Sequence, residues 1–247
     1  MNKLWIGALT VMLTGCAAVP EGTQSFFKGQ GCGNQLTQEQ ELMLGLAEDV
    51  ARDGKRHAAL AHFESLPTHV PQVRLNKAKV LRQLNQPGAH ELYQSVLNTC
   101  LAAYGHHGLG QLAFAQHEYL RATEQLSQAV RLVPTDASIR NDYALALLAQ
   151  GQRDRARFEW ATALELEPTH KRAAINMVSL LLLENQWDQA AALSAKTGLT
   201  AHEMRTAQQQ AEHYRLPVAP SEIPLAKPSS ITDADIAQIL QATKEKP

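Results

Sequence analysis

The sequence predicts an all-α chain of stacked helix pairs, on two observations. The first is composition: among 247 residues there are 37 Ala and 34 Leu, but only 11 Val and 7 Ile. Ala and Leu lose little side-chain freedom in a helix, whereas β-branched residues lose more. The second is periodicity. Pro134 and Pro168 stand 34 residues apart, and the segments before them align without a gap. Leu109, Gly110, Ala113, Ala122, Leu126 and Ala129 precede the first proline; Tyr143, Ala144, Leu147, Ala156, Trp160 and Ala163 hold the same offsets before the second. A repeat of this length is one helix–turn–helix unit, which buries its apolar face by stacking on its neighbours.

The same composition excludes several classes. With 45% hydrophobic residues and a formal net charge of −1, the chain is not a disordered one. No apolar run reaches the ~18–20 residues of a membrane-spanning helix. A sequence pI near 6.8 leaves no electrostatic footprint for nucleic acid.

Residues 1–15 read as a signal peptide. Lys3 supplies a short positive region, residues 4–13 are mostly apolar but too short to span a bilayer, and small residues lead to Cys16. Leu13-Thr14-Gly15-Cys16 resembles a bacterial lipobox. The resemblance implies a diacylglyceryl group on the Cys16 thiol, cleavage before it and acylation of the new N-terminus. Several acyl chains on one residue anchor stably where one chain would not. The residue after the cysteine is Ala17 rather than Asp, which by the same resemblance implies export to the outer membrane, facing the periplasm. The mature chain then has 232 residues.

Residues 16–36 form an acylated, flexible tether, with Pro20, Gly22, Gly29, Gly31 and Gly33. Residues 37–216 hold the repeats. The first pair follows the pattern through Leu46, Ala47, Val50, Ala59, Phe63, Leu66 and Pro71. The second, from Pro71 to Leu97, fits with one residue deleted, through Ala78, Leu81, Ala89, Tyr93 and Val96. The third and fourth are the gapless pairs. The fifth runs through Met177, Val178, Leu181 and Ala190 and weakens at Ser194. A further helix over about 200–214 caps the open end. Small residues such as Gly110, Ala122, Ala144 and Ala156 let paired helices approach, and Leu126, Tyr143 and Trp160 fill the space between units. Each proline ends the second helix of its unit, because it lacks an N–H and disfavours the α conformation before it. Gly151 marks the turn inside its pair.

Residues 217–231 form a Pro-rich linker, with Pro217, Pro220, Pro224 and Pro228. Residues 232–247 hold a short amphipathic helix and tail. Thr232 is a good N-cap, Asp233 and Asp235 suit the positive helix end, and Ile236, Ile239 and Leu240 share a face. That helix either binds a partner, folds back onto the repeats or frays.

The repeat pattern resembles the tetratricopeptide repeat (TPR). The resemblance implies a right-handed solenoid of about five TPR helix pairs, whose first helices line a concave groove. Carried onto this chain, the groove positions are Tyr104, His107, Gln111 and Phe114, then Asn141, Leu145 and Leu148, then Arg172, Ile175 and Leu182. That mix suits an extended peptide or an amphipathic helix. The carboxylate clamp of some family members needs Lys and Asn where this chain has His107 and Gln111.

Chemistry is sparse. His90, His117 and His202 each precede a Glu, but Gln94, Arg121 and Thr206 stand where the second His of a zinc-protease motif belongs. His106 and His107 are adjacent and point apart on a helix. Gly54-Lys55-Arg56 fails as a phosphate loop, since Asp49 stands at the first Gly position. No catalytic residues, metal ligands, cofactor or small-molecule substrate are expected, and the chain is read as no enzyme. With Cys16 lipidated, Cys32 and Cys100 remain as a pair that an oxidising periplasm would join. The bond would close a loop of 67 intervening residues, worth roughly 4 kcal/mol on the chain-entropy model.

Lipobox, tether and five repeats together resemble the TPR lipoproteins of surface-appendage assembly, and most of all the TadD component of tight-adherence (Flp) pilus systems. The resemblance implies a protein partner, an outer-membrane secretin or another pilus assembly component, and a membrane attachment through Cys16. Two other readings share the plan: a pilotin of a type IV pilus secretin, and a scaffold for envelope biogenesis or peptidoglycan hydrolases.

Overall fold

A computed structural model describes residues 36–214. The expected signal peptide, Cys16, most of the expected tether with Cys32, the Pro-rich segment and the expected terminal helix lie outside the described residues. Within them the chain is helical, and eleven helices follow in pairs. They are α1 (Gln38–Arg52) with α2 (Arg56–Glu64), α3 (Pro71–Gln83) with α4 (Ala89–Gln94), and α5 (Ala102–Ala115) with α6 (Tyr119–Leu132). Then come α7 (Ala137–Ala149) with α8 (Arg153–Leu166), α9 (Lys171–Leu183) with α10 (Trp187–Thr197), and the single α11 (Ala201–His213). Five pairs and a cap are what the period requires.

Local chemistry sets the helix ends. Thr37 and Gln40 form a capping box at the start of α1, and Thr200 and Glu203 form another at α11. Each satisfies two backbone donors that the first turn leaves free. Asp136 accepts from the Ile139 amide at 3.0 Å and starts α7. Pro71 sits at the first position of α3, where its missing N–H costs nothing. The helices before Pro134 and Pro168 stop at Leu132 and Leu166, and Val133 and Glu167 leave the α conformation.

The turn inside each pair is a repeated backbone device. Gly54, Asn85, His117, Gly151 and Asn185 all have positive φ, between 54° and 81°. Each lets the next amide reach back to a carbonyl five residues earlier. These bonds are Lys55 to Val50, Gln86 to Leu81, Glu118 to Ala113, Gln152 to Leu147 and Gln186 to Leu181, at 2.8–3.1 Å. They satisfy carbonyls that the helix end would otherwise leave unpaired.

The core lies between the helices of each pair and between successive pairs. Ala122, Ala144 and Ala156 are fully buried, and Trp160 and Leu126 fill the space beside them. Gly110 is required by contact: a Cβ there would lie 2.5 Å from Leu126 Cγ. The second pair is the irregular one. Its α4 has six residues and is followed by turns holding Cys100, which is disulfide-bonded.

First helices also contact one another along the stack: α1 with α3, α3 with α5, α5 with α7, α7 with α9, and α9 with α11. The second helices make no comparable contacts among the described residues. The first helices therefore form the inner, tighter row, and α11 takes the place of a sixth first helix.

Candidate functional site: the first-helix face

Polar side chains join this row step by step. The Glu48 carboxylate on α1 accepts from Asn76 on α3, and Lys79 stands 5.9 Å from the centre of the Tyr104 ring on α5. His107 Nε2 lies 2.7 Å from Asp142 Oδ2 on α7, and Gln111 donates to the same oxygen at 2.6 Å. Asn141 Oδ1 accepts from Trp160 Nε1 and from Asn176 Nδ2 on α9. Ser179 donates to Gln210 Oε1 on α11 at 2.8 Å. Apart from the Trp160 bond, which lies within one pair, each link joins a first helix to the next first helix, so the bridges hold successive repeats together.

Asp142 carries the clearest electrostatic signature. Burial opposes its ionisation, but the hydrogen bond and charge of His107, with Gln111 and Arg172, outweigh it and hold the carboxyl below its ordinary range.

Two concavities flank this row. Near the start, Glu48, Gln72, Asn76, Lys79 and Gln83 line a polar trough of about 410 Å³. Beyond the middle, Phe114, Leu148, Tyr119, Arg153, His213 and Tyr214 surround a largely apolar hollow of about 320 Å³. The Phe114 and Tyr119 rings meet edge to face at 5.4 Å, and His117 Nδ1 lies 2.8 Å from the Tyr119 hydroxyl. Burial, with Tyr119 nearby, raises the Tyr214 phenol above its usual pKa.

The groove positions read from the sequence divide accordingly. Tyr104 is half-buried beside Lys79, Arg172 is exposed, and Phe114 forms a wall of the hollow. His107 and Gln111 are spent on Asp142, and Leu145 packs against the central core. Three positions require correction. Asn141 is 1% exposed and Leu182 is 2% exposed, while Leu148 shows only an edge to the hollow at 5%. Asn141 is held between Trp160 and Asn176. Leu182 and its neighbour Ile175 lie in the cluster that α11 covers with Met204, Ala207 and Ala211. A repeat register ranks helix faces within a pair, but the way α11 lies over α9 is a tertiary fact outside that register. Sequence reasoning missed Asp142, Tyr119 and Tyr214. Asp142 follows Asn141 and falls 35 residues after His107, which was the available signal.

Among the described residues no group of three or more His, Cys, Asp or Glu is placed to hold a metal ion. Among them, too, no helix is long and apolar enough to cross a membrane.

Helix pairs stacked at a 34-residue period, with a continuous first-helix face, define a TPR scaffold. No protein-family model matches the chain. A TPR repeat-containing protein of Pseudomonas aeruginosa, PA4299, is 40% identical over 221 residues, covering 89% of this chain and 88% of that protein. The chain belongs to this family of TPR repeat-containing proteins. Two solved structures share the fold. P. aeruginosa pilF superposes with a TM-score of 0.56 at 19% identity, over 71% of this chain and 88% of that one. TTC0263, a thermophilic TPR protein of Thermus thermophilus, gives 0.55 at 21% identity, over 72% and 100%.

Proposed function

We propose that this chain is a non-enzymatic lipoprotein of the outer membrane, acylated at Cys16 and facing the periplasm, that holds a protein partner during assembly of a tight-adherence (Flp/type IVb) pilus. The partner is an outer-membrane secretin or another assembly component. One observation carries the scaffold reading: the row of first helices leaves Lys79, Tyr104 and Arg172 accessible, beside a polar trough lined by Glu48, Gln72 and Asn76. Such a face suits an extended peptide, whose side chains fill pockets while its backbone finds polar partners. The lipobox supports the anchor, and the plan of lipobox, tether and five repeats supports the pilus role. A Cys32–Cys100 bond would tie the tether to the turns between α4 and α5.

Intact mass of the native protein tests the anchor, which requires a chain starting at Cys16 with three acyl chains; an uncleaved N-terminus contradicts it. In-cell crosslinking followed by partner identification tests the role. Recovery of the secretin or pilus assembly proteins supports it, and recovery of peptidoglycan hydrolases alone overturns it.

A further inference from the structure

The apolar hollow lies where the described chain ends. His213 and Tyr214, the last two described residues, form part of its wall. The next residues are Arg215-Leu216-Pro217-Val218-Ala219-Pro220, followed by Ser221-Glu222. Leu216 is two residues beyond Tyr214, so its Cα is within about 7 Å of the wall. A segment this close needs almost no loop closure to enter, whereas residues 232–240 would first have to close a loop of some 17 residues.

The chemistry matches as well as the distance. Phe114, Leu148, Tyr119 and Tyr214 offer aromatic and aliphatic surface, and Leu216 and Val218 offer aliphatic side chains. Pro217 and Pro220 have no N–H to leave unsatisfied, fix their own φ near about −65° and disfavour the α conformation in the residue before each. Proline-rich extended segments dock in aromatic-lined grooves because little conformational freedom is left to lose. Arg153 stands at the rim, and Glu222 follows the apolar stretch with the opposite charge.

We propose that residues 216–220 fill the hollow of their own chain, as an internal ligand with Leu216 and Val218 inserted between Phe114, Leu148 and Tyr214. The polar trough then remains as the open part of the first-helix face. This contact is intramolecular and stands or falls independently of the pilus role.

The test is photo-crosslinking in the full mature chain at high dilution, with p-benzoylphenylalanine in place of Phe114. Mass spectrometry of tryptic fragments then locates the attachment. The expected product is an intramolecular link to the fragment spanning residues 216–244, because Lys227 precedes Pro228 and is not cut, with fragment-ion sequencing placing the attachment within residues 216–220. Its yield should fall at least about fivefold in the L216D/V218D double variant, with helix content unchanged by circular dichroism. Attachment to residues 232–247, attachment to a second copy, no attachment, or a yield that L216D/V218D leaves unchanged would each overturn the proposal.

Discussion

Asn176 donates its side-chain amide to Asn141 Oδ1 at 2.8 Å, across the contact between α9 and α7. The same oxygen accepts from the Trp160 indole at 3.2 Å. One carbonyl therefore serves a donor from its own pair and a donor from the next, in a place closed to water. A buried donor left without an acceptor costs its full desolvation, so this oxygen ties the packing of a pair to the stacking of pairs.

Asn141→Ala should accordingly cost about 2–4 kcal/mol, because it orphans two buried donors as well as deleting a bond. Adding Trp160→Phe removes one of those donors. The double variant should be less destabilised than the sum of the single variants, by about 1 kcal/mol. Urea unfolding of the four proteins in the cycle measures this; strict additivity would mean that the Trp160 bond contributes nothing.

Two glycines separate close packing from simple helix propensity. A Cβ on Gly108 would stand 2.1 Å from the Tyr93 ring, and one on Gly45 meets nothing within 4 Å. Gly108→Ala should destabilise by about 1–3 kcal/mol through overpacking. Gly45→Ala, inside α1, should stabilise by up to about 1 kcal/mol. Thermal melts of the two variants should move in opposite directions.

Much of this was legible in the sequence. The 34-residue offset placed the third and fourth pairs and their prolines, the looser pattern placed the other three pairs, and the segment expected at 200–214 forms α11. The second pair resisted a gapless alignment, and α4 is indeed the shortest helix described. The face itself was only half legible. The groove positions came from the family resemblance rather than from periodicity, which says only which side of a helix meets its own pair; of them, Tyr104 is half-buried, Arg172 is exposed and Phe114 lines the hollow. Periodicity does not say that Asn141 bridges to Asn176, nor that α11 closes over Leu182. Those depend on residues one repeat away, and no local pattern encodes them.

The Asp142 pair gives a pH dependence with a definite sign. The folded-state pKa of Asp142 is lowered, so its contribution is complete above the unfolded carboxylate value of about 3.9 and is lost as pH falls through the lower folded value. Wild type should exceed Asp142→Asn in urea midpoint at pH 5, and the gap should narrow by pH 3. A gap that is constant across that range would show that ionisation of Asp142 adds no stability.

The central claim is that the first-helix face holds a protein partner. It is tested most directly by placing a photo-crosslinking residue at Tyr104 on that face, or at Phe158, which is 65% exposed on the second helix α8, in the native full-length protein in its own cells. The account expects a discrete adduct from Tyr104 containing the secretin or another pilus assembly protein, and none from Phe158. Equal adducts from both positions, or none from Tyr104, would contradict it.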